Sequence, residues 1–427
     1  MVRLSLPKFA INYARRQKYM REKHGHYQIN GKSVNGPRIL TKKGIQIENP
    51  QTYIHPPKPE WKPTRKLPND FRLQRFIKPK KEEQKTSWNV LPEVNFTEGL
   101  DQACLLTKTQ GFHELPKQVQ NLMGKYSVQN QDECVKEAIS RSQIWDSTVE
   151  KLPKYRDLAN VGFRYPRMYG IPDKTSAQVL LTRFLHMCQS MCLQFSELAT
   201  DRRVIYKPAT ETMYNFRGEK IYIKFTNDFM ICGYNPLSQP GDKRMIQESI
   251  NHNLHDMYPI LPTVDLQPIA ENKFINNGVF KEQKLPWSNP QISFRVNPTG
   301  RPKKYQGYNL MTTFGLALTE ARNKYNIENT PLDIPITLIN INLSFDTINF
   351  LVFQLNTMDF QNEDGIKNFA WFDSEKLFTK TYCQPWLEPR VNGQLVFKPP
   401  EFSDYNKKAF EKFLALYLYD YDKPNAL

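Results

Sequence analysis

The residues predict an α/β protein, a mixed central sheet with flanking helices, preceded by a long extended basic N-terminal arm. Three features carry that reading. Two nearly apolar segments, Pro335–Leu343 and Ile348–Asn356, have the composition of strands covered on both faces, which belong in the middle of a sheet. Several other stretches repeat apolar residues at steps of three and four, the period of a helix. The first 90 residues hold 21 Lys or Arg against six acids, a net of +15 in a chain whose total is +16; the other 337 hold 38 bases and 37 acids. A nearly neutral body therefore carries a strongly cationic arm. Concentrated charge of one sign predicts a polyanionic partner, because each neutralised phosphate releases counterions.

The arm is assigned to residues 1–95 and the globular body to 96–427. From about residue 28 to 95, Pro37, Pro50, Pro56, Pro57, Pro59, Pro63, Pro68 and Pro79 alternate with cations, and Tyr27, Tyr53, Trp61, Phe71 and Phe76 are interleaved. Proline removes backbone donors and fixes φ, so an extended path is favoured. Cations on such a path can follow a phosphate backbone while the aromatics stack on bases; a solvated linker has a similar composition. The RNA-binding candidates are Arg15, Arg16, Lys18, Arg21, Lys23, Lys42, Lys43, Arg65, Lys66, Arg72, Arg75, Lys78, Lys80 and Lys81. The opening Met1–Lys18 has Arg and Lys but no acid before Glu22. It fits a mitochondrial transit peptide as well as a basic arm that starts at residue 1.

Within the body, Asp132 is placed to cap a helix through about Trp145, with Val135 and Ile139 inward. A longer helix is predicted over 176–198. There Leu180, Phe184, Met187, Met191, Phe195 and Leu198 form one apolar row, and Leu181, Leu185, Cys188 and Cys192 a second. Strands are expected at 204–206, 213–216 and 220–226, the last two joined through Arg217-Gly218 as a hairpin. Helices over 242–257 and 309–325 precede the two apolar strands, and a helix over 403–419, with Phe410, Phe413, Leu414 and Tyr417 on one face, closes the body.

Motifs for nucleotide or hydrolytic chemistry are missing: neither GxGxxG nor GxxxxGK[ST] occurs, nor HExxH or GxSxG. No run of about 18–20 apolar residues predicts a membrane span. Six scattered cysteines without a CxxC pair fit a reducing compartment. His186, Cys188 and Cys192 resemble a ligand set on paper, but on a helix residues two apart project about 200° from one another. Glu248, His252, His255 and Asp256 would share a helical face, which is also the ordinary solvated face of an amphipathic helix. Asp265, Asp346, Asp359, Glu363 and Asp364 lie near the apolar strands, as the acids of a metal-dependent nuclease would. The polar residues on the inner strand are Gln354 and Asn356, neither of which supplies the charge a magnesium site needs. Arg301, Lys303 and Lys304, with Arg295 and the nearby Tyr305 and Tyr308, form a secondary candidate RNA patch or a solvated loop.

Particular strings then carry a resemblance. They are Asp101-Gln-Ala-Cys104 with Leu106-Thr-Lys-Thr109, Asn130-Gln-Asp-Glu-Cys-Val135 with Ile139-Ser140, Phe350-Leu-Val-Phe-Gln-Leu-Asn-Thr357, Gly365, Lys367-Asn368, Ala370-Trp371, Asp373-Ser374, and Phe413-Leu-Ala-Leu-Tyr-Leu418. In this order they resemble the family of mitochondrial large ribosomal subunit protein thirty-seven. Between about 200 and 330 little matches beyond general layout. The resemblance implies a structural constituent of the mitochondrial large ribosomal subunit, imported into the matrix, with no enzymatic activity and no cofactor. It implies mitochondrial rRNA and other mitochondrial ribosomal proteins as partners, among them a paralogous heterodimer partner, mitochondrial ribosomal protein thirty. Two other functions compete with it: a metal-dependent nuclease-like RNA-processing enzyme working through Asp265 or Asp346, and an adaptor that visits the ribosome only during assembly.

Overall fold

A computed structural model of the chain describes residues 43–44, 86–91, 96–142, 171–270, 286–297, 302–325, 331–344, 346–381, 390–391, 394–395 and 401–422. The chain divides into two units, Met1–Glu82 and Glu83–Leu427. In the first, the described residues are Lys43 and Gly44, an exposed turn.

The second unit holds two mixed sheets. Its elements run β1 (Thr86–Val90), α1 (Gly99–Leu106), β2 (Thr109–Phe112), α2 (Lys117–Leu122), α3 (Gln131–Ser142), α4 (Asp173–Gln189), α5 (Glu197–Asp201), β3 (Arg202–Tyr206), β4 (Ala209–Phe216), β5 (Glu219–Thr226) and β6 (Phe229–Gly233). They continue with α6 (Lys243–Glu248), β7 (Gln267–Ala270), β8 (Asn289–Val296), α7 (Pro302–Tyr325), β9 (Pro331–Ser344), β10 (Thr347–Thr357), β11 (Asn368–Lys376) and, after short ladders, α8 (Lys407–Tyr417). The larger sheet has seven strands in the order β2-β11-β10-β9-β8-β6-β3, and the smaller has four in the order β4-β5-β1-β7. The β9–β10 hairpin occupies the centre of the larger sheet, as its apolar composition predicts, and the β8–β9 and β2–β11 pairs are parallel while their neighbours are antiparallel. This is the mixed sheet with flanking helices that the residues predict.

Each face of the seven-stranded sheet has its own core. On one face Ile292, Phe294, Ile339, Ile341, Phe350 and Val352 meet α2, α3, α4 and α8. Phe184 of α4 stands edge-on to Phe410 and Phe413 of α8, with centroids 5.0 and 5.6 Å away. On the opposite face Leu338, Leu351, Phe353 and Leu355 meet α1 and α7, and the four-stranded sheet covers the far side of α7. Phe314 of α7 touches both sheets, lying 5.0 Å from Tyr214 and 6.3 Å from Phe353 between ring centroids. A helix enclosed in this way has no solvent face to mark with polar residues, which explains the weak amphipathic pattern of its sequence. The buried hydroxyls of Thr312, Thr313 and Thr319 donate back to the helix's own carbonyls. Its crossing with α1 depends on Gly307, where a Cβ would lie 2.7 Å from the Gly99 carbonyl oxygen.

Several expectations need correction. Thr86–Val90 falls in the stretch read as arm, yet it is an interior strand, parallel to β5 and antiparallel to β7. Asp132 does not cap α3; it lies in the first turn, and its carboxylate accepts a hydrogen bond from Tyr405 Oη at 3.1 Å. Trp145 lies outside the described residues. The single helix expected over 176–198 ends at Gln189 and continues as a 3₁₀ turn, Ser190–Leu193. Leu180, Leu181, Phe184, Leu185, Cys188 and Met191 are buried as the two rows predict. The helix expected over 242–257 ends at Glu248, with a 3₁₀ turn over Ser249–Asn251. Its predicted face of Glu248, His252, His255 and Asp256 therefore does not exist. Helix α7 begins at Pro302 instead of 309, since proline fits the first turn, where its missing N–H has no helical acceptor to lose. The Arg217-Gly218 hairpin is present, and both residues have positive φ (47° and 84°), as a type I′ turn requires.

Candidate functional site

Most of the predicted RNA-binding cations, Arg15 to Lys42, Arg65 to Lys81 and Arg301, lie outside the described residues. Lys43 sits exposed at its turn, and Lys303 and Lys304 occupy the first turn of α7, not a loop. The aromatic half of that secondary patch is withdrawn from solvent. Tyr305 and Tyr308 are buried, and the Arg295 guanidinium packs over the Tyr308 ring 4.4 Å from its centroid. Tyr305 and Tyr308 are consequently not available to stack on a base.

The nuclease candidates are not brought together either. Asp265 accepts from the Thr97 backbone N–H at 2.7 Å and from Thr97 Oγ1 at 3.0 Å, fixing the start of α1. Asp346 belongs to the β9–β10 turn and accepts from Thr347 Oγ1 at 3.0 Å. Asp359 lies 3.9 Å from Lys108 Nζ, and Glu363 pairs with Arg217. Among the described residues no three His, Cys, Asp or Glu side chains are grouped to hold a metal ion. His186 is exposed while Cys188 is buried, with its thiol pushed up by that burial. Cys104 is driven up to about 12, first by burial and then by Asp101, so it carries no thiolate at neutral pH.

Part of the 350–374 resemblance, namely Gln354, Asn356, Thr357, Lys367 and Asn368, converges on a buried polar knot where β10 ends and β11 and β2 begin. Strand β10 bulges between Leu355 and Thr357. A bulge leaves strand N–H groups without ladder partners, and here Asn368 Oδ1 accepts both, from Asn356 N at 2.8 Å and Thr357 N at 3.0 Å. Asn368 Nδ2 donates to the Thr107 carbonyl at 3.0 Å, and its backbone N–H to the Lys108 carbonyl at 2.9 Å. Asn356 Nδ2 donates to the Lys367 carbonyl at 2.9 Å. Gln354 exchanges two bonds with the backbone of Gly241, at 2.8 and 3.3 Å, and donates to Asn356 Oδ1 at 2.8 Å.

Two buried lysines extend the knot into the loop between β10 and β11. Lys108 Nζ donates to the carbonyls of Asp359 and Asp364 at 3.1 and 2.6 Å, and Lys367 Nζ to those of Glu363 and Gly365. Burial lowers the pKa of both ammonium groups; Asp359 and Asp364 oppose the shift at Lys108, as Asp364 does at Lys367. These donors are spent on fixed backbone acceptors, so the arrangement clamps a loop and offers no nucleophile, acid–base pair or ion cradle. The sequence signal for the knot is the interruption of an apolar strand by Gln354 and Asn356.

A second buried polar group ties α8 to the sheet. Arg202, at the start of β3, donates through Nε to Gln291 Oε1 at 2.7 Å, and through its terminal nitrogens to the carbonyls of Tyr417 and Tyr419. Its guanidinium lies 4.3 Å from the centroid of the Tyr421 ring. A cation here meets the negative end of α8, which compensates for a burial that lowers the arginine's pKa. Sequence reading missed Arg202, because its partners lie about 90 and 215 positions away.

The described body is thus held by polar clamps without reactive chemistry, the kind of site a scaffold needs. Comparison with known proteins decides the family. The large ribosomal subunit protein mL37 of Gallus gallus is 30% identical over 338 residues, which cover 76% of this chain and 72% of that protein. The chain belongs to the mL37 family. The mL37 proteins of Rattus norvegicus and Bos taurus are each 28% identical, over 330 and 331 residues, about three-quarters of this chain. No family model matches the sequence. Proteins of the mL37 family belong to the mitochondrial large ribosomal subunit, so this protein resides in the mitochondrion and is not an enzyme. Among the described residues no helix is long and apolar enough to cross a membrane.

Proposed function

We propose that this mL37-family protein is a structural constituent of the mitochondrial large ribosomal subunit that binds rRNA through its basic arm and neighbouring ribosomal proteins through its body. The division of charge is the observation that carries the reading, with +15 of the chain's +16 in its first 90 residues. An arm of that kind gains affinity by releasing counterions from phosphates, while a nearly neutral body gains little. Phosphate contacts of this type position a protein on RNA without reading sequence, which suits a scaffold. The working boundary between arm and body is Glu83, because β1 belongs to the four-stranded sheet. A paralogous ribosomal protein, implied by the resemblance, is the proposed heterodimer neighbour.

Salt dependence tests the arm. If about ten arm cations each neutralise a phosphate, log K for a structured RNA falls against log salt with a slope near −9. A chain lacking residues 1–82 is expected to lose most of that slope while keeping its urea midpoint. Equal slopes with and without the arm would place the RNA contact on the body and overturn the division. Removal through residue 95 also deletes β1 and is expected to destabilise the body, so it is the wrong control.

A further inference from the structure

We infer that the segment 257–266 is a preformed docking surface for a protein partner that presents an apolar patch rimmed by lysine or arginine. The inference deepens the proposed function by naming the face of the body that meets a ribosomal-protein neighbour, and it rests on that reading.

The segment displays large apolar side chains to solvent. Tyr258 is 86% exposed, Leu261 70%, Val264 53% and Ile260 40%. They cluster within one short stretch, unlike the scattered single exposures usual on a protein surface. The backbone beneath them is fixed from several directions. Met257, Thr263 and Leu266 are buried anchors, and Met257 and Leu266 enter the core around α7. Gln102 Nε2 of α1 donates to the Pro262 carbonyl at 2.7 Å, and Asp265 is held by Thr97. Within the segment, Ile260 N donates to Met257 O, Val264 N to Leu261 O and Leu266 N to Thr263 O, at 2.8 to 3.1 Å. A surface ordered in advance loses little conformational entropy when a partner lands on it.

Charge decides the kind of partner. The two stretches that meet here, 86–107 and 245–272, contain no Lys or Arg, although the whole chain has 59. Their exposed carboxylates include Glu98, Asp101 and Asp256, which flank the anchoring contacts made by Thr97, Gln102 and Tyr258 N. An anionic rim around an apolar centre repels a phosphate backbone and complements a basic-rimmed protein.

The test places a photo-activatable benzoylphenylalanine at position 261 of the full chain, with a second at position 72 of the arm, in purified mitochondrial large subunits. The expected result is a cross-link from 261 to another ribosomal protein, at a peptide rich in Lys or Arg. Cross-linking from 261 to rRNA, to a second copy of this chain, or to nothing in subunits where position 72 does cross-link to rRNA overturns the docking inference and leaves the proposed function standing. Absence of the chain from the subunits overturns both. A charge pair adds a second readout: Leu261→Lys is expected to weaken the cross-link to that protein, made from a benzoylphenylalanine at 258, at least tenfold more than Leu261→Asp. The reverse order overturns the assignment of a basic rim. Both changes fall on an exposed side chain, so the body's urea midpoint should not move.

Discussion

Replacing Asn368 by leucine is expected to lower the stability of the body by about 3–9 kcal/mol, the cost of leaving three buried backbone groups unpaired at about 1–3 kcal/mol each. The three are the N–H groups of Asn356 and Thr357 and the carbonyl of Thr107, all of which the Asn368 side chain satisfies. Leucine has the same branching and the same number of side-chain heavy atoms, so no cavity is left and the loss reports the missing hydrogen bonds. Asn368 is fully buried, and no water can replace its amide without a rearrangement of the bulge. Urea denaturation followed by tryptophan fluorescence measures the change. A shift below about 1 kcal/mol would mean that the bulge relaxes and pairs its own N–H groups.

The second large effect is expected at Arg202. Arg202→Met retains the aliphatic stem but removes the donors to Gln291 Oε1 and to the carbonyls of Tyr417 and Tyr419. Loss of a buried cation that faces a helix C-terminus and three acceptors should cost about 3–5 kcal/mol. The loss concentrates where α8 meets the sheet. Hydrogen exchange at the amides of Leu418, Tyr419 and Tyr421, which close the end of that helix onto Leu414, Leu416 and Leu418, should accelerate more than exchange in β9 and β10. Uniform acceleration throughout the body would show that Arg202 supports the whole fold and not this junction. Arg202→Lys should recover little, because an ammonium cannot span three acceptors arranged for a planar fork.

What could be read from the residues was what local chemistry decides. The β9–β10 strands declare themselves by composition, because a strand covered on both faces has no polar side to show. The Arg217-Gly218 turn is set by two adjacent residues and was legible for that reason. Elements fixed from a distance were not. Strand β1 is five residues long, follows a proline-rich stretch, and pairs with segments about 130 and 180 positions later. A continuous helix is expected over 242–257, yet the chain leaves helical geometry after Asn251 and is routed by tertiary anchors at Met257 and Leu266. Tertiary packing overrides a periodic pattern there. The same contrast applies to the site. Gln354 and Asn356 were visible as polar residues in apolar strands, whereas Lys108, Asn368 and Gly241 become their neighbours only through the fold.

The docking segment follows the same logic. Between the buried anchors Met257 and Leu266, Tyr258, Ile260, Leu261 and Val264 have no core to enter. On the proposed function, a body that clamps its interior with amides and lysines and exposes an apolar edge is one that neighbouring proteins hold. Its arm brings the charge, and its body brings shape.

The most direct measurement is sedimentation of mitochondrial extracts through gradients of rising salt, comparing the full chain with one lacking residues 28–82. That deletion removes the middle of the arm while leaving the opening residues and β1 in place. The full chain is expected to remain with the large subunit and the assembled ribosome at salt concentrations that move the deleted chain to the top of the gradient, with its body still folded. Full retention of the deleted chain at every salt concentration, or release of the full chain at low salt, would contradict an arm that anchors this protein to rRNA.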